Sequence, residues 1–256
     1  MGRFTLGEWI DARRRRKLLT QLTPTTGHLS TNGQQSYLGI GLYSIPEAAR
    51  LLKTPGQTVR SWARGYTYLL DSKPKHIGPI LTYDYPELAE EYILTFVDLV
   101  ELYVVRMLRN REVPMQTIKE AARRLREKTG AKHPFAVRGI DTYARRVFHT
   151  NESGIEELGA YQYVIESVVK PFFKTLDYED IKAGNVLRMW PIGHGRIVLD
   201  PKRSFGKPIV HKSAVPTFPL YRMRLAGETP ERIARWYEIP VQSVKDAIEY
   251  EEYLAA

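Results

Sequence analysis

Residues Ser44 to Tyr66, SIPEAARLLKTPGQTVRSWARGY, constrain the fold of this chain more than any other stretch. They read as two short helices joined by a tight turn. Ser44 sits where an N-cap belongs, and Glu47, at the third helical position, completes a capping box. Ala48, Leu51 and Leu52 then recur at helical spacing, giving the first helix one apolar face. Thr54 reads as the N-cap of the second helix, with Pro55 at its first position. There Val59, Trp62 and Ala63 share an inner face, and Gln57, Thr58, Arg60, Ser61 and Arg64 point outward. A short helix docked on another, with polar and cationic side chains near its N-terminus, is what reading a major groove requires. An ordinary helical hairpin with a solvated basic face fits the same pattern.

The residues C-terminal to this helix pair narrow the choice. Tyr66 to Leu81 contains aromatic and apolar residues interrupted by LDSKPKHIGP, which predicts a two-stranded wing with Lys73 and Lys75 at its tip. From Leu94 to Gly130 the pattern is helical. Thr95 and Asp98 cap a first helix with the stripe Phe96, Val97, Val100, Val104, Met107 and Leu108. Val113-Pro114 breaks it, Met115, Ile118, Ala122 and Leu125 restart it, and Gly130 is a natural stop. This order of helix pair, wing and two helices, with TVRSW at Thr58 to Trp62, resembles the MerR-type winged helix-turn-helix over residues 41–130. The resemblance implies DNA contacts from Gln57, Thr58, Arg60, Ser61 and Arg64, and from Lys73 and Lys75 on the wing. One short recognition helix contacts too few base pairs for operator-grade specificity, so a homodimer on double-stranded operator DNA is expected. The stripe residues Val97, Val100, Val104, Ile118 and Leu125 are candidate dimer surfaces and fit a core equally well.

The distribution of charge agrees with a nucleic-acid partner. The formal net charge is +9, and residues 1–133 carry 21 basic against 13 acidic residues, residues 134–256 only 17 against 16. A basic excess confined to the half with the helix pair is what counterion-releasing phosphate contacts need. A basic run, Arg13 to Lys17, lies in a polar arm and linker over residues 1–37. The chain holds no cysteine, which excludes disulfides and thiolate metal sites, and no apolar stretch reaches membrane-spanning length. These features point to the cytoplasm.

The expected architecture is mainly α with small β elements. A MerR-like winged helix-turn-helix covers residues 38–132, an α+β connector 133–194, and a helix-turn-helix-like domain 195–256. In the connector, Phe135 to Thr150 alternates as strands, and Tyr161 to Phe172 has helical spacing. In the last segment Asp200, Pro201, Gly206, Lys207, Pro208, Gly227, Glu231, Ala234, Tyr237, Val244, Ala247 and Tyr250 form a skeleton. It is similar to a small domain found in many bacterial VapB-type antitoxins, and departs from that pattern at Lys212 to Pro216. HPFAVRGID, His133 to Asp141, resembles the joining segment of larger antitoxins of this group. Thr229 is placed to cap a helix and Glu238-Ile239-Pro240 to turn into the last one. The last helix shows Asp246, Glu249, Glu251 and Glu252 against Lys245, an exposed acidic face that would repel phosphate.

Catalysis finds little support. The six histidines include no pair at the spacing of a helical zinc site. His194 between glycines reads as a turn, and Asp177, Glu179 and Asp180 as a solvated acidic turn. No phosphate loop, nucleophile elbow or dinucleotide fingerprint occurs, so neither an enzyme nor a cofactor is expected. The resemblances together imply an antitoxin of a type II toxin–antitoxin pair that binds its operator and neutralises a PIN-type ribonuclease toxin. The alternatives are a stand-alone MerR-like regulator answering to a small effector, and an adaptor that has lost DNA binding.

Overall fold

A computed structural model describes residues 39–85, 88, 92–136, 170–178, 186–192 and 194–256. The polar arm, the expected strands at 137–150, the helical stretch at 161–169 and the acidic residues Glu179 and Asp180 lie outside them.

Strand β1 (Leu42–Ser44) leads into helix α1 (Ile45–Leu51), and α2 (Gly56–Arg64) follows after a short turn. Ser44 and Glu47 form the expected capping box: each side chain accepts the other residue's backbone N–H. Thr54 does not cap α2, contrary to expectation. Pro55 occupies the cap with an extended ψ of 136°, and the Thr54 hydroxyl donates back to the Leu52 carbonyl at 2.9 Å. Pro55 therefore stands just outside the helix rather than at its first position.

Strands β2 (Tyr66–Leu70) and β3 (Lys73–Ile77) form an antiparallel hairpin with both faces in solvent. Asp71 and Ser72, both at positive φ, make its tight turn. β4 (Ile93–Thr95) then pairs antiparallel with β1 and leads into α3 (Phe96–Arg109), which Thr95 and Asp98 cap as a second capping box. α4 (Met115–Thr129) stops at Gly130 in the left-handed region. The stripe residues Val100, Val104, Ile118 and Leu125 are buried in the protomer's own core and Val97 is half-buried, so the four buried ones offer no dimer surface. Burying them inside one chain satisfies the same hydrophobic drive without a partner.

After helix α5 (Lys170–Phe173), strands β5 (Leu176–Tyr178), β6 (Val186–Met189), β7 (Ile197–Leu199) and β8 (Pro208–Val210) make an antiparallel sheet in chain order. Helices α6 (Thr217–Leu225), α7 (Pro230–Tyr237) and α8 (Val241–Ala255) close the chain. Thr229 caps α7 by accepting from Arg232 N–H, and Glu238, in the left-handed region, turns the chain toward α8. The described residues belong to one compact unit, and one hydrophobic core joins Tyr43, Leu52 and Phe96 to Met189, Leu220 and Tyr250.

Candidate nucleic-acid interface

The helix pair is built from the inside out. Val59 and Ala63 of α2 are fully buried against Ala48, Leu51 and Leu52 of α1, and Trp62 packs half-buried beside them. That seating leaves Gln57 and Arg60 exposed and Thr58, Ser61 and Arg64 half-exposed. The five lie on one helix, as the spacing predicts. Ser61 is partly committed already: its hydroxyl donates to the Gln57 carbonyl at 2.8 Å.

The passage from α2 into the hairpin depends on Gly65. Its φ is +75°, and a Cβ there would stand 2.1 Å from the Ile77 carbonyl oxygen, so only glycine fits. Beyond it, Ile80 N–H donates to the Trp62 carbonyl at 2.9 Å and the Tyr83 hydroxyl to the Ala63 carbonyl at 2.6 Å. Burial, then the nearby Asp98 carboxylate, pushes the Tyr83 phenol well above its ordinary pKa, keeping it a donor. Arg126 donates to the Ile80 carbonyl, and Lys119 to that of Gly78. The hairpin base is thus fixed to α2 and α4 while its strands project.

Lys73 and Lys75 are both exposed on β3. Lys73 adjoins the turn, opposite Leu70, but Lys75 stands opposite Tyr68 along the strand rather than at the tip. Both share a hairpin face with Tyr66, Tyr68 and Leu70.

Sequence reasoning missed three contacts around this interface. The guanidinium carbons of Arg60 and Arg64 lie 4.6 and 4.2 Å from the centre of the Tyr92 ring. No motif contains Tyr92, so nothing local announces it. A second group braces α3. His133, buried behind it, places Nδ1 3.2 Å from Glu101 and Nε2 3.0 Å from Asp84, with Asp98 3.7 Å away. Burial opposes charge on this imidazole, but the Glu101 hydrogen bond and the carboxylates of Glu101, Asp98 and Asp84 outweigh it and raise the pKa to about 9. Burial raises Asp98 to about 6 against the pull of His133. Both imidazole nitrogens are engaged, which leaves no lone pair for a metal. Among the described residues no group of three His, Cys, Asp or Glu is arranged to hold one.

The third contact fastens α1 to the end of the chain. Glu251 on α8, 2% exposed, accepts from Arg50 on α1 and from the Thr217 hydroxyl. Asp246, also buried, accepts from Arg196 at 2.8 Å. These two carboxylates therefore do not belong to the exposed acidic face expected of the last helix; Glu249 and Glu252 remain outside. Asp177 is likewise structural: it accepts from the Trp190 indole at 2.9 Å and sits 3.5 Å from Arg188.

Against this geometry, residues 41–122 match a family described as "Putative DNA-binding HTH domain", and residues 197–250 match "Protein of unknown function (DUF433)". The chain is similar to "Putative antitoxin VapB45" of Mycobacterium tuberculosis, 26% identical over 223 residues that cover 82% of this chain and 93% of that protein. Its fold is that of the crystal structure of Rv2018 from Mycobacterium tuberculosis, with a TM-score of 0.61 over 82% of this chain and 98% of that one at 24% identity. Helices α1 and α2 thus belong to a helix-turn-helix domain.

Proposed function

We propose that this chain is a DNA-binding antitoxin of a type II toxin–antitoxin pair, acting in the cytoplasm on its own double-stranded operator and neutralising a PIN-type ribonuclease. The observation that carries the reading is α2, whose inner face is sealed on α1 while Gln57, Thr58, Arg60, Ser61 and Arg64 line the other side. In a MerR-like docking α2 enters the major groove and Lys73 and Lys75 contact phosphates. One helix of this length covers too few base pairs for operator-grade specificity, so a homodimer on two half-sites is required.

Neutralising a PIN-type nuclease calls for a cation placed near its acidic, metal-binding carboxylates. Lys202, Lys212, Arg222 and Arg224 of the C-terminal segment are exposed and supply candidates. The reading is non-enzymatic, and none of the descriptions of similar domains and proteins names a reaction.

The test pairs two measurements on the full chain. Fluorescence anisotropy with DNA from upstream of its own gene should show binding that weakens steeply with salt. Coexpression with the neighbouring reading frame should yield a stable complex with a PIN-type protein. A half-open pocket of about 380 Å³ lined by residues including Thr95, Phe96, Lys132, His133 and Val186 gives the effector-responsive regulator some support. Operator binding with no protein partner, altered by a small molecule, would favour that regulator.

A further inference from the structure

The turn before β4 carries a residue that no helix-turn-helix pattern requires. Tyr92 is 38% exposed and holds φ at +61°, a region that non-glycine residues enter rarely and aromatic ones at a cost. Strain of this kind persists where surrounding structure imposes it and often marks a working position. Two guanidinium groups, from Arg60 and Arg64 one helical turn apart, converge on its ring. The ring's negative face attracts both cations. Among the described residues no carboxylate pairs with Arg60, so its guanidinium is poised for an anion or a base-edge acceptor from outside.

We infer that Tyr92 is a specificity-determining positioning residue: its ring holds the Arg60 side chain in the orientation that reads a base edge. The inference rests on the DNA-binding reading above. An exposed arginine samples many rotamers, and fixing them on binding opposes affinity. Contact with the ring restricts those rotamers beforehand, and a guanidinium lying flat on it would keep its in-plane N–H groups free to meet a guanine O6 and N7 in bidentate fashion. A phosphate contact needs charge but little orientation, so losing the ring should harm sequence discrimination far more than non-specific binding.

The experiment uses the full chain, DNA from upstream of its gene and an unrelated duplex of equal length, across a salt series. Tyr92→Asn removes the ring while placing a residue that tolerates positive φ, so the fold should be at least as stable in urea. Tyr92→Phe keeps the ring. Tyr92→Asn should lower the ratio of specific to non-specific affinity by about fivefold, the size expected of an exposed cation–π contact, with the salt slope unchanged. Tyr92→Phe should restore the ratio to within about twofold on the same grounds. In an Arg60→Ala background Tyr92→Asn should cost clearly less than in the wild type, because the residue acts mainly through Arg60 and only the Arg64 contact is left to lose. A wild-type ratio in Tyr92→Asn, a loss that Phe does not restore, or a loss additive with Arg60→Ala overturns the assignment while leaving the DNA-binding reading intact. A wild-type chain without preference for its upstream DNA overturns both.

Discussion

Removing Arg50 should destabilise the protein more than neutralising the residue it pairs with. Glu251 is 2% exposed and accepts from two groups, the Arg50 guanidinium and the Thr217 hydroxyl. The Arg50 side chain, by contrast, retains 35% of its exposure. Arg50→Ala therefore strands a buried carboxylate with one neutral donor, whereas Glu251→Gln leaves a cation that can turn to water. Breaking a fully buried pair typically costs 3–5 kcal/mol, and the partial exposure of Arg50 places this one near the lower end, about 3 kcal/mol. In Glu251→Gln the amide still accepts a hydrogen bond and fills the same volume, so the loss is the charge-assisted increment, about 1 kcal/mol. The double variant should then be more stable than Arg50→Ala alone by roughly 1–2 kcal/mol, because the stranded charge has gone. Urea unfolding followed by tryptophan fluorescence reads all three as midpoint shifts, with Arg50→Ala displaced by roughly 1 M at a slope near 3 kcal/mol/M. If the two single losses simply add in the double variant, or Glu251→Gln is the worse, the buried-charge reasoning fails.

Three further outcomes are expected. Arg60→Ala should weaken operator binding by roughly 1–3 kcal/mol if it meets a base edge, measured by anisotropy at moderate salt; wild-type affinity would remove α2 from the reading face. Because His133 is raised to about 9 in the folded chain, its stabilisation is whole below the unfolded value near 6.5 and is lost as pH climbs through 9. The alkaline decline should reach on the order of 3 kcal/mol in urea titrations and flatten in His133→Gln. Gly65→Ala should cost at least about 2 kcal/mol in thermal unfolding, since a Cβ at 2.1 Å from the Ile77 carbonyl must push the hairpin off its base.

What could be read in advance was local. The capping boxes at Ser44/Glu47 and Thr95/Asp98 span three residues each, and the structure forms both. The hairpin follows from the polar turn residues that interrupt an aromatic and apolar stretch, and the seating of Val59 and Ala63 from helical period alone. Misreadings arise where a distant partner decides. Asp246 and Glu251 read as solvent-facing by their charge, yet Arg196 and Arg50, 50 and 201 residues away, pair with them where they are buried. For Val100 and Ile118 the periodicity leaves core and dimer surface open, and burial within the chain decides for the core. Tyr92 meets two arginines about 30 residues upstream, and nothing in its neighbours predicts the encounter. Thr54 fails for a local reason, because the extended ψ of Pro55 fills the role of cap.

The joint between the two ends of the chain bears on how such a protein can be taken apart. The Tyr43 hydroxyl donates to the Gly206 carbonyl at 2.6 Å, and a Cβ on Gly206 would lie 2.3 Å from the Tyr43 hydroxyl oxygen. With Arg50 on Glu251 and Tyr43 and Tyr250 inside one core, the helix pair is not a portable cassette. A fragment ending at Gly130 would bare the flank of α1 and the buried ring of Tyr43 to water, and transplanting residues 39–130 onto another C-terminal segment would demand a glycine at the facing position. Recombination among relatives should accordingly keep Tyr43 and Gly206 together, and dissection of DNA and partner binding should proceed by point substitution at the two outer faces of an intact chain.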